Sequence, residues 1–304
     1  MSNRNLGFIG LGAMGSGMVK SLLRAGFPVT VFDVRGEARA ALVTLGALEA
    51  RSPREAAAGA DVVLSSLPTP AEVEAVVFGP DGILAALRPG GVYIDLSSID
   101  PPTTRKVGAA LAERGVRMLD APVGPGADAA ERGELTLMLG GDPTVIEGCQ
   151  DVLRAVGARQ FYCGPLGSGV TTKMINNLVS CSINALNAEA LVFGQKAGLD
   201  LDVLLDVMST TAADNRHLHV TARERMLVGD FAPTFRLTLA HKDLGLALRS
   251  ALQLGVPLPI GTAAHLVHAL AMGHGLGEEG QAACIKVIEQ AAGVQARRSK
   301  GKGK

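Results

Sequence analysis

The sequence predicts an α/β fold: a doubly wound, mostly parallel sheet, followed by an all-α second domain that a long helix joins to it. Three observations carry this. The first half alternates short β-branched runs with helical stretches, each closed by turn residues, which is the pattern of βαβ units. The strand signal then stops after the glycine cluster at 164–169. Beyond it, residues 170–197 run without proline and with Gly194 as their one internal glycine, enough for a single helix of about 40 Å.

In chain order, strands are expected at 6–9, 29–32, 62–65, 92–95 and 116–119, each a compact apolar run ended by Gly, Asp or Ser. Helices are expected between them at 14–25, 35–45, 53–58, 83–87 and 103–114, several opened by Ser, Asp or Pro. Runs at 135–139 and 160–162 flank a helical stretch at 144–156 and extend the same sheet. After the long helix come helical segments at 202–208, 216–228, 242–254, 262–272 and 281–291, separated by Gly, Pro or Asp. The expected division is a first domain over 1–164, a helical domain over 165–293 and a disordered basic tail over 294–304.

Composition narrows the function classes. A chain of 304 residues that is 47% apolar can bury a large core. Its 29 basic and 29 acidic residues balance, but Arg297, Arg298, Lys300, Lys302 and Lys304 crowd the tail, so the body carries 24 basic against 29 acidic residues. Such a body has no broad basic face, and nucleic acid is not expected as its main partner. No apolar run reaches the roughly 18 residues of a membrane span and no secretory signal layout is present, so a soluble, cytoplasmic protein is expected. Cys149, Cys163, Cys181 and Cys284 form no C-x-x-C pair, which suggests free thiols and neither a zinc site nor a disulfide framework.

The first candidate site is Gly10-Leu11-Gly12-Ala13-Met14-Gly15, directly after the first strand and opening a helix. In that context the first glycine allows the tight turn, the second lets backbone approach a pyrophosphate, and the third allows close helix–strand packing. Phosphates there meet free N–H groups at a helix N-terminus. The sheet is therefore read as Rossmann-type. Asp33 ends the next strand, 18 residues past Gly15, where a carboxylate can accept the ribose hydroxyls. This favours NAD. Arg35, next to Val34, could accommodate a 2′-phosphate and leaves NADP open. The turns Ser65-Ser66-Leu67-Pro68 and Asp95-Leu96-Ser97-Ser98 leave two further strands at the same edge. Their hydroxyls could bond ribose or carboxamide, or could equally cap the helix that starts near Pro101.

The second candidate is Lys173 with Asn177, four residues apart and so on one face of the long helix, with Asn176 turned about 100° away. Reducing a carbonyl needs a proton donor at the oxygen, and the reverse reaction needs a base. A partly desolvated lysine near a helix N-terminus can serve as both, and an asparagine can orient the alcohol. Taken alone, K-x-x-x-N is commonplace on solvated helices.

Four segments in order, however, resemble the β-hydroxyacid dehydrogenase family, whose relatives include 3-hydroxyisobutyrate dehydrogenase, tartronate semialdehyde reductase and 6-phosphogluconate dehydrogenase. They are residues 7–15; Asp120-Ala121-Pro122-Val123-Gly124-Pro125-Gly126; Gly164-Pro165-Leu166-Gly167-Ser168-Gly169 leading to Lys173 and Asn177; and Lys242-Asp243-Leu244-Gly245-Leu246-Ala247. The resemblance covers essentially residues 6–291. It implies that Lys173 is the catalytic acid/base, that Asn177 is a substrate ligand, and that Lys242 lies near both nicotinamide and substrate. It also implies that Leu67, Pro68 and Ser98 touch the cofactor. The family's substrate loop usually reads Asp-Ala-Pro-Val-Ser-Gly-Gly, whereas here Gly124 and Pro125 replace the serine and the next glycine, removing a hydroxyl and an N–H donor. Gly126 and Lys242 remain, and Arg132 or Arg236 could compensate. The expected activity interconverts a small 3-hydroxy acid and its semialdehyde or keto form by hydride transfer with NAD, in a homodimer or homotetramer.

Two alternatives stand beside it. One is a dinucleotide-reading scaffold without catalysis that binds nucleic acid through its tail; the other is an imine reductase. The retained Lys173 argues against both. His217 and His219 are two apart and so fall on different sides of a helix, while His265 and His268 share a face but have no nearby carboxylate; all four are read as structural or solvated, so no metal is expected. His241 precedes Lys242 without an assignable partner. Phe231 and Phe235 are read as core.

Overall fold

The computed structural model describes residues 4–298. Lys300, Lys302 and Lys304 of the expected tail lie outside them. Its strands are β1 (Leu6–Ile9), β2 (Val29–Phe32), β3 (Leu48–Glu49), β4 (Val62–Ser65), β5 (Val92–Asp95), β6 (Arg117–Asp120), β7 (Val123–Gly124), β8 (Thr136–Gly140) and β9 (Arg159–Gly164). Between them lie α1 (Ala13–Arg24), α2 (Gly36–Val43), α3 (Pro53–Ala57), α4 (Pro70–Phe78), α5 (Pro101–Ala112), α6 (Ala127–Arg132), α7 (Pro143–Gly148) and α8 (Gln150–Val156). Then follow α9 (Ser168–Lys196), α10 (Leu201–Ser209), a π-helical segment (Leu218–Met226), α11 (Leu237–Gln253), α12 (Pro259–Gly273) and α13 (Ile285–Ala292).

The sheet order is β3-β2-β1-β4-β5-β6-β8-β7, with β9 paired to β8. The strands from β3 to β6 are parallel, and the order reverses between β1 and β4, the switch point at which open α/β sheets bind ligands. Beyond β6 the sheet is mixed, since β8 runs antiparallel to β6 and β7. Register matters most for the site. Ile9 pairs Phe32 and Ser65, Ser65 pairs Asp95, and Asp95 pairs Asp120, so five strands end flush and their exit turns share one edge.

Both faces of the sheet are covered, which is why its strands read as continuous apolar runs. Phe8, Val31, Leu64 and Ile94 pack with Met18, Val19 and Leu22 of α1 and Leu153 of α8. Ile9, Val63 and Tyr93 pack on the other face with Ala56, Val73 and Val107. The helical unit has its own core around Leu191, Val192, Leu205, Leu218, Leu237 and Ile285.

The chain divides into two compact units after Met174, inside α9 and ten residues past the division the glycine cluster suggests. The reason is local: the first turn of α9 is bonded to Asp120 at the end of β6. The C-terminal segment also differs from expectation. Ala296 is buried with its N–H on Glu289, Arg297 pairs with Glu289, and the exposed Arg298 pairs with Asp202, so this stretch is tied to the helical unit at three residues. Among the described residues no helix is long and apolar enough to cross a membrane.

Candidate active site

The dinucleotide fingerprint is built from the turn that leaves β1. Gly10 has φ +90°, and a Cβ there would drive into the Ser66 carbonyl. A Cβ at Gly15 would strike the Gly10 carbonyl, while Gly12 faces open space. Gly12 is also the N-cap of α1 and supplies no side-chain acceptor to the first turn, which leaves those N–H groups available to an anion. Leu11, Ala13 and Met14 complete the turn and the helix start. An uncrowded glycine, uncapped helix N–H groups and an acid at the end of β2 together fit a dinucleotide pyrophosphate and ribose.

That acid, Asp33, is 8% exposed. Its Oδ2 accepts from the Leu11 N–H at 2.7 Å and its Oδ1 from the Arg35 N–H at 2.9 Å. The Arg35 guanidinium adds a bond at 3.1 Å and reaches the Leu11 carbonyl as well. Burial pushes the carboxyl upward, but the Arg35 guanidinium and the two N–H groups outweigh it and hold Asp33 below its usual range. Val34 between them is 87% exposed.

The neighbouring turns give two of the serines partners within the protein. Ser65 Oγ is buried between the Tyr93 hydroxyl at 2.6 Å and Asp95 Oδ1 at 2.8 Å, and Ser97 Oγ accepts the Leu67 N–H at 2.9 Å. These two hydroxyls tie the ends of neighbouring strands and their exit turns to each other. They do not cap α5, whose N-cap is Asp100. Ser98 is half-buried, Leu67 packs partly buried beside Gly10, and Pro68 is exposed. Burial pushes the Asp95 carboxyl up, and burial with the adjacent Asp95 pushes the Tyr93 phenol well up.

In the same unit, the Asp120–Gly126 loop meets the start of α9. A Cβ placed at Gly124 would lie 3.4 Å from Lys173 Nζ, so the half-buried amine sits directly beside this loop. The Gly124–Pro125 peptide is cis, and Gly126, the N-cap of α6, has open space around its Cα. Arg132 is exposed and paired with Glu134.

A second grouping lies within the helical unit. Asn177 is buried, with Nδ2 donating to Asp243 Oδ2 at 2.6 Å and Oδ1 accepting from Asn176 at 3.1 Å. Lys242 Nζ is 3.0 Å from Asp243 Oδ1. Asp243, which sequence reasoning did not select, is thus the shared partner of two selected residues. A carboxylate following a lysine reads as an ordinary solvated pair, so its spacing gave no warning. Arg236, the N-cap of α11, pairs with Glu278.

The histidines are held by local partners. His217 lies between Ser180 and Thr221, and His219 pairs with Asp214. His241 stacks on His265 at 4.4 Å, and His268 Nδ1 bonds the Ala264 carbonyl. No group of three or more His, Cys, Asp or Glu among the described residues could hold a metal ion. Phe231 is partly buried under the Lys286 and Arg297 cations, and Phe235 packs near Cys181, Ala240 and Leu244.

Comparisons with known proteins bear on both units. Residues 5–164 match the family model for the NAD-binding domain of 6-phosphogluconate dehydrogenase. Residues 167–288 match that for the NAD-binding of NADP-dependent 3-hydroxyisobutyrate dehydrogenase. The chain is 39% identical to a 2-(hydroxymethyl)glutarate dehydrogenase of Eubacterium barkeri, over 95% of this chain and 96% of that protein. It is also 39% identical to a 3-sulfolactaldehyde reductase of Escherichia coli, over 96% and 98% of the two chains. Among solved structures, a Mycobacterium tuberculosis 3-hydroxyisobutyrate dehydrogenase with L-serine matches with a TM-score of 0.86 at 32% identity, covering 94% of this chain and 99% of that one.

Proposed function

Because the chain belongs to the β-hydroxyacid dehydrogenase family, oxidoreductases that use a nicotinamide dinucleotide, we propose that it interconverts a small 3-hydroxy acid and the corresponding semialdehyde or keto acid, with NAD favoured and Lys173 as general acid/base. The observation that carries this reading is the Lys173 amine beside Gly124, in the unit that also holds the fingerprint and Asp33.

A bound nicotinamide supplies or accepts the hydride at the substrate carbon. Lys173 gives its proton to the carbonyl oxygen during reduction and takes the hydroxyl proton during oxidation. Asn177, one turn further along α9, orients the hydroxyl through an amide that Asp243 and Asn176 hold in place. Lys242, held by Asp243, supplies positive charge for the acid end. Gly126 contributes backbone to the loop side, and the missing hydroxyl and N–H at Gly124 and Pro125 leave that side poorer in donors. Gly10 to Gly15, Asp33, Val34, Arg35, Leu67, Pro68, Ser98 and Lys242 are the cofactor-facing residues in this reading. The scaffold and imine-reductase alternatives are not favoured, since the chain keeps a lysine at 173.

A panel of 3-hydroxyisobutyrate, L-serine, L-threonate, 2-(hydroxymethyl)glutarate and 3-sulfolactaldehyde, followed by NADH absorbance and repeated with the phosphorylated cofactor, tests the activity. Lys173→Ala should leave NADH affinity nearly unchanged and lower turnover by on the order of 10²–10⁴-fold. Undiminished turnover in that variant overturns the assignment.

A further inference from the structure

The glycine cluster before α9 packs closely on the end of β6, and a buried carboxylate lies at that contact. Asp120, at the end of β6, is fully buried. Its Oδ1 accepts from the Gly167 N–H and its Oδ2 from the Val170 N–H, both at 2.8 Å. Gly167 makes its approach at φ +94°, a backbone conformation suited to glycine. A Cβ at Gly169 would strike the Met138 carbonyl first and also come within 2.8 Å of the same carboxyl, whereas a Cβ at Gly140 on β8 would drive into the carboxyl itself, with Asp120 side-chain atoms the nearest groups it would meet. Glycines from two separate segments thus leave room for one side chain.

Two short arms start from that carboxyl. Along the chain, Gly124 at the end of β7 is four residues past Asp120; from Val170, Lys173 is three residues on, within the next turn of α9. The arms meet again where Lys173 Nζ lies beside Gly124. We propose that Asp120 is the positioning residue for Lys173: it seats the first turn of α9 on the end of β6 and thereby fixes the amine against the loop. The functional consequence rests on Lys173 being the acid/base; the placement itself does not.

Two variants of the full chain with NADH bound test this. Asp120→Asn keeps one acceptor oxygen and loses the other, while Gly140→Ala leaves Asp120 in place but displaces its carboxyl from the N–H groups. Acetic anhydride labelling of Lys173, read by peptide mass spectrometry against Lys106, should become at least about threefold faster as the amine is released from its half-buried position. NADH affinity should stay within about twofold, and kcat on the best panel substrate should fall by on the order of 10²-fold, as expected for a misplaced catalytic group. An unchanged or lowered labelling ratio in the variants that fold overturns the proposal, and Gly140→Ala decides if Asp120→Asn does not fold. Should Lys173→Ala retain full turnover, the acid/base reading fails, while the labelling still decides whether Asp120 places the amine.

Discussion

Among single residues, Asp33 and Arg35 show how far a side chain's role can be read from its type and position. An acid at the end of the second strand is legible because the fingerprint fixes where that strand must end. What the spacing does not show is that Arg35 folds back onto the acid, and that the Leu11 N–H, the Arg35 N–H and the Arg35 guanidinium already occupy both carboxylate oxygens. Arg35 therefore has to leave Asp33 before it can serve a 2′-phosphate. Asp33→Asn removes the charge that holds the guanidinium, so the ratio of NADPH to NADH affinity should rise by roughly tenfold, measured by fluorescence titration. An unchanged ratio would show that this pair does not govern cofactor choice. Asp243 and Asp120 mark the limit of reading residue by residue, because Asp243 joins its neighbour Lys242 to Asn177, 66 positions away, and Asp120 reaches Gly167 and Val170, 47 and 50 positions away.

At the scale of elements, β1, β2, β4 and β5 match their expected bounds to the residue, since each is a four-residue apolar run closed by a turn residue. β3 and β7 are two residues long and leave no periodic signal. α4 was not expected. Its Pro70 and Glu72 are proper start signals, but Val73, Val76 and Val77 are β-branched and disguise the helix. α6 is too short to show a period, and the expected helix at 144–156 is divided at Cys149 into α7 and α8. α11 starts five residues before its expected bound, at Leu237. Packing between α11 and α12 carries a pH prediction. His268 is fully buried, and because Nδ1 donates to the Ala264 carbonyl, protonating Nε2 would add a buried donor that has no acceptor among the described residues. Burial lowers its pKa; burial and then Arg249 lower that of His241, and burial, His241 and Arg249 lower that of His265. The folded state therefore resists protons that the unfolded chain takes up near pH 6.5. Stability from these groups is complete above that value and is lost as pH falls below it. Tm should drop between about pH 7.5 and 5.5, by roughly 2–4 °C for each kcal/mol lost, and His268→Leu should flatten the drop. A Tm that is level across this range in the unsubstituted protein would contradict the argument.

For the whole molecule, composition and the order of segments were enough to separate a sheet-bearing half from a helical half, because strand and helix periods differ and the glycine cluster falls where one stops. The use of the helical half's outer surface was less legible, since apolar residues in a helix are usually core. On α9, Ile175, Val179, Leu186 and Phe193 are 54%, 52%, 62% and 77% exposed. At 100° per residue all four fall within about 40° of arc, forming an apolar stripe about 27 Å long on one side of the helix. α12 adds exposed Ile260, Leu266 and Leu270 within the same unit. Exposed apolar rows of this length mark association surfaces more often than solvated ones. Light scattering should therefore give a dimer or tetramer of the 31.3 kDa chain at micromolar concentration. Leu186→Glu combined with Phe193→Glu should shift it towards monomer with the helical circular dichroism retained, because both side chains are already exposed and their loss opens no core cavity. A monomer before substitution would mean that this stripe faces water, and association would then have no support in the helical unit's surface.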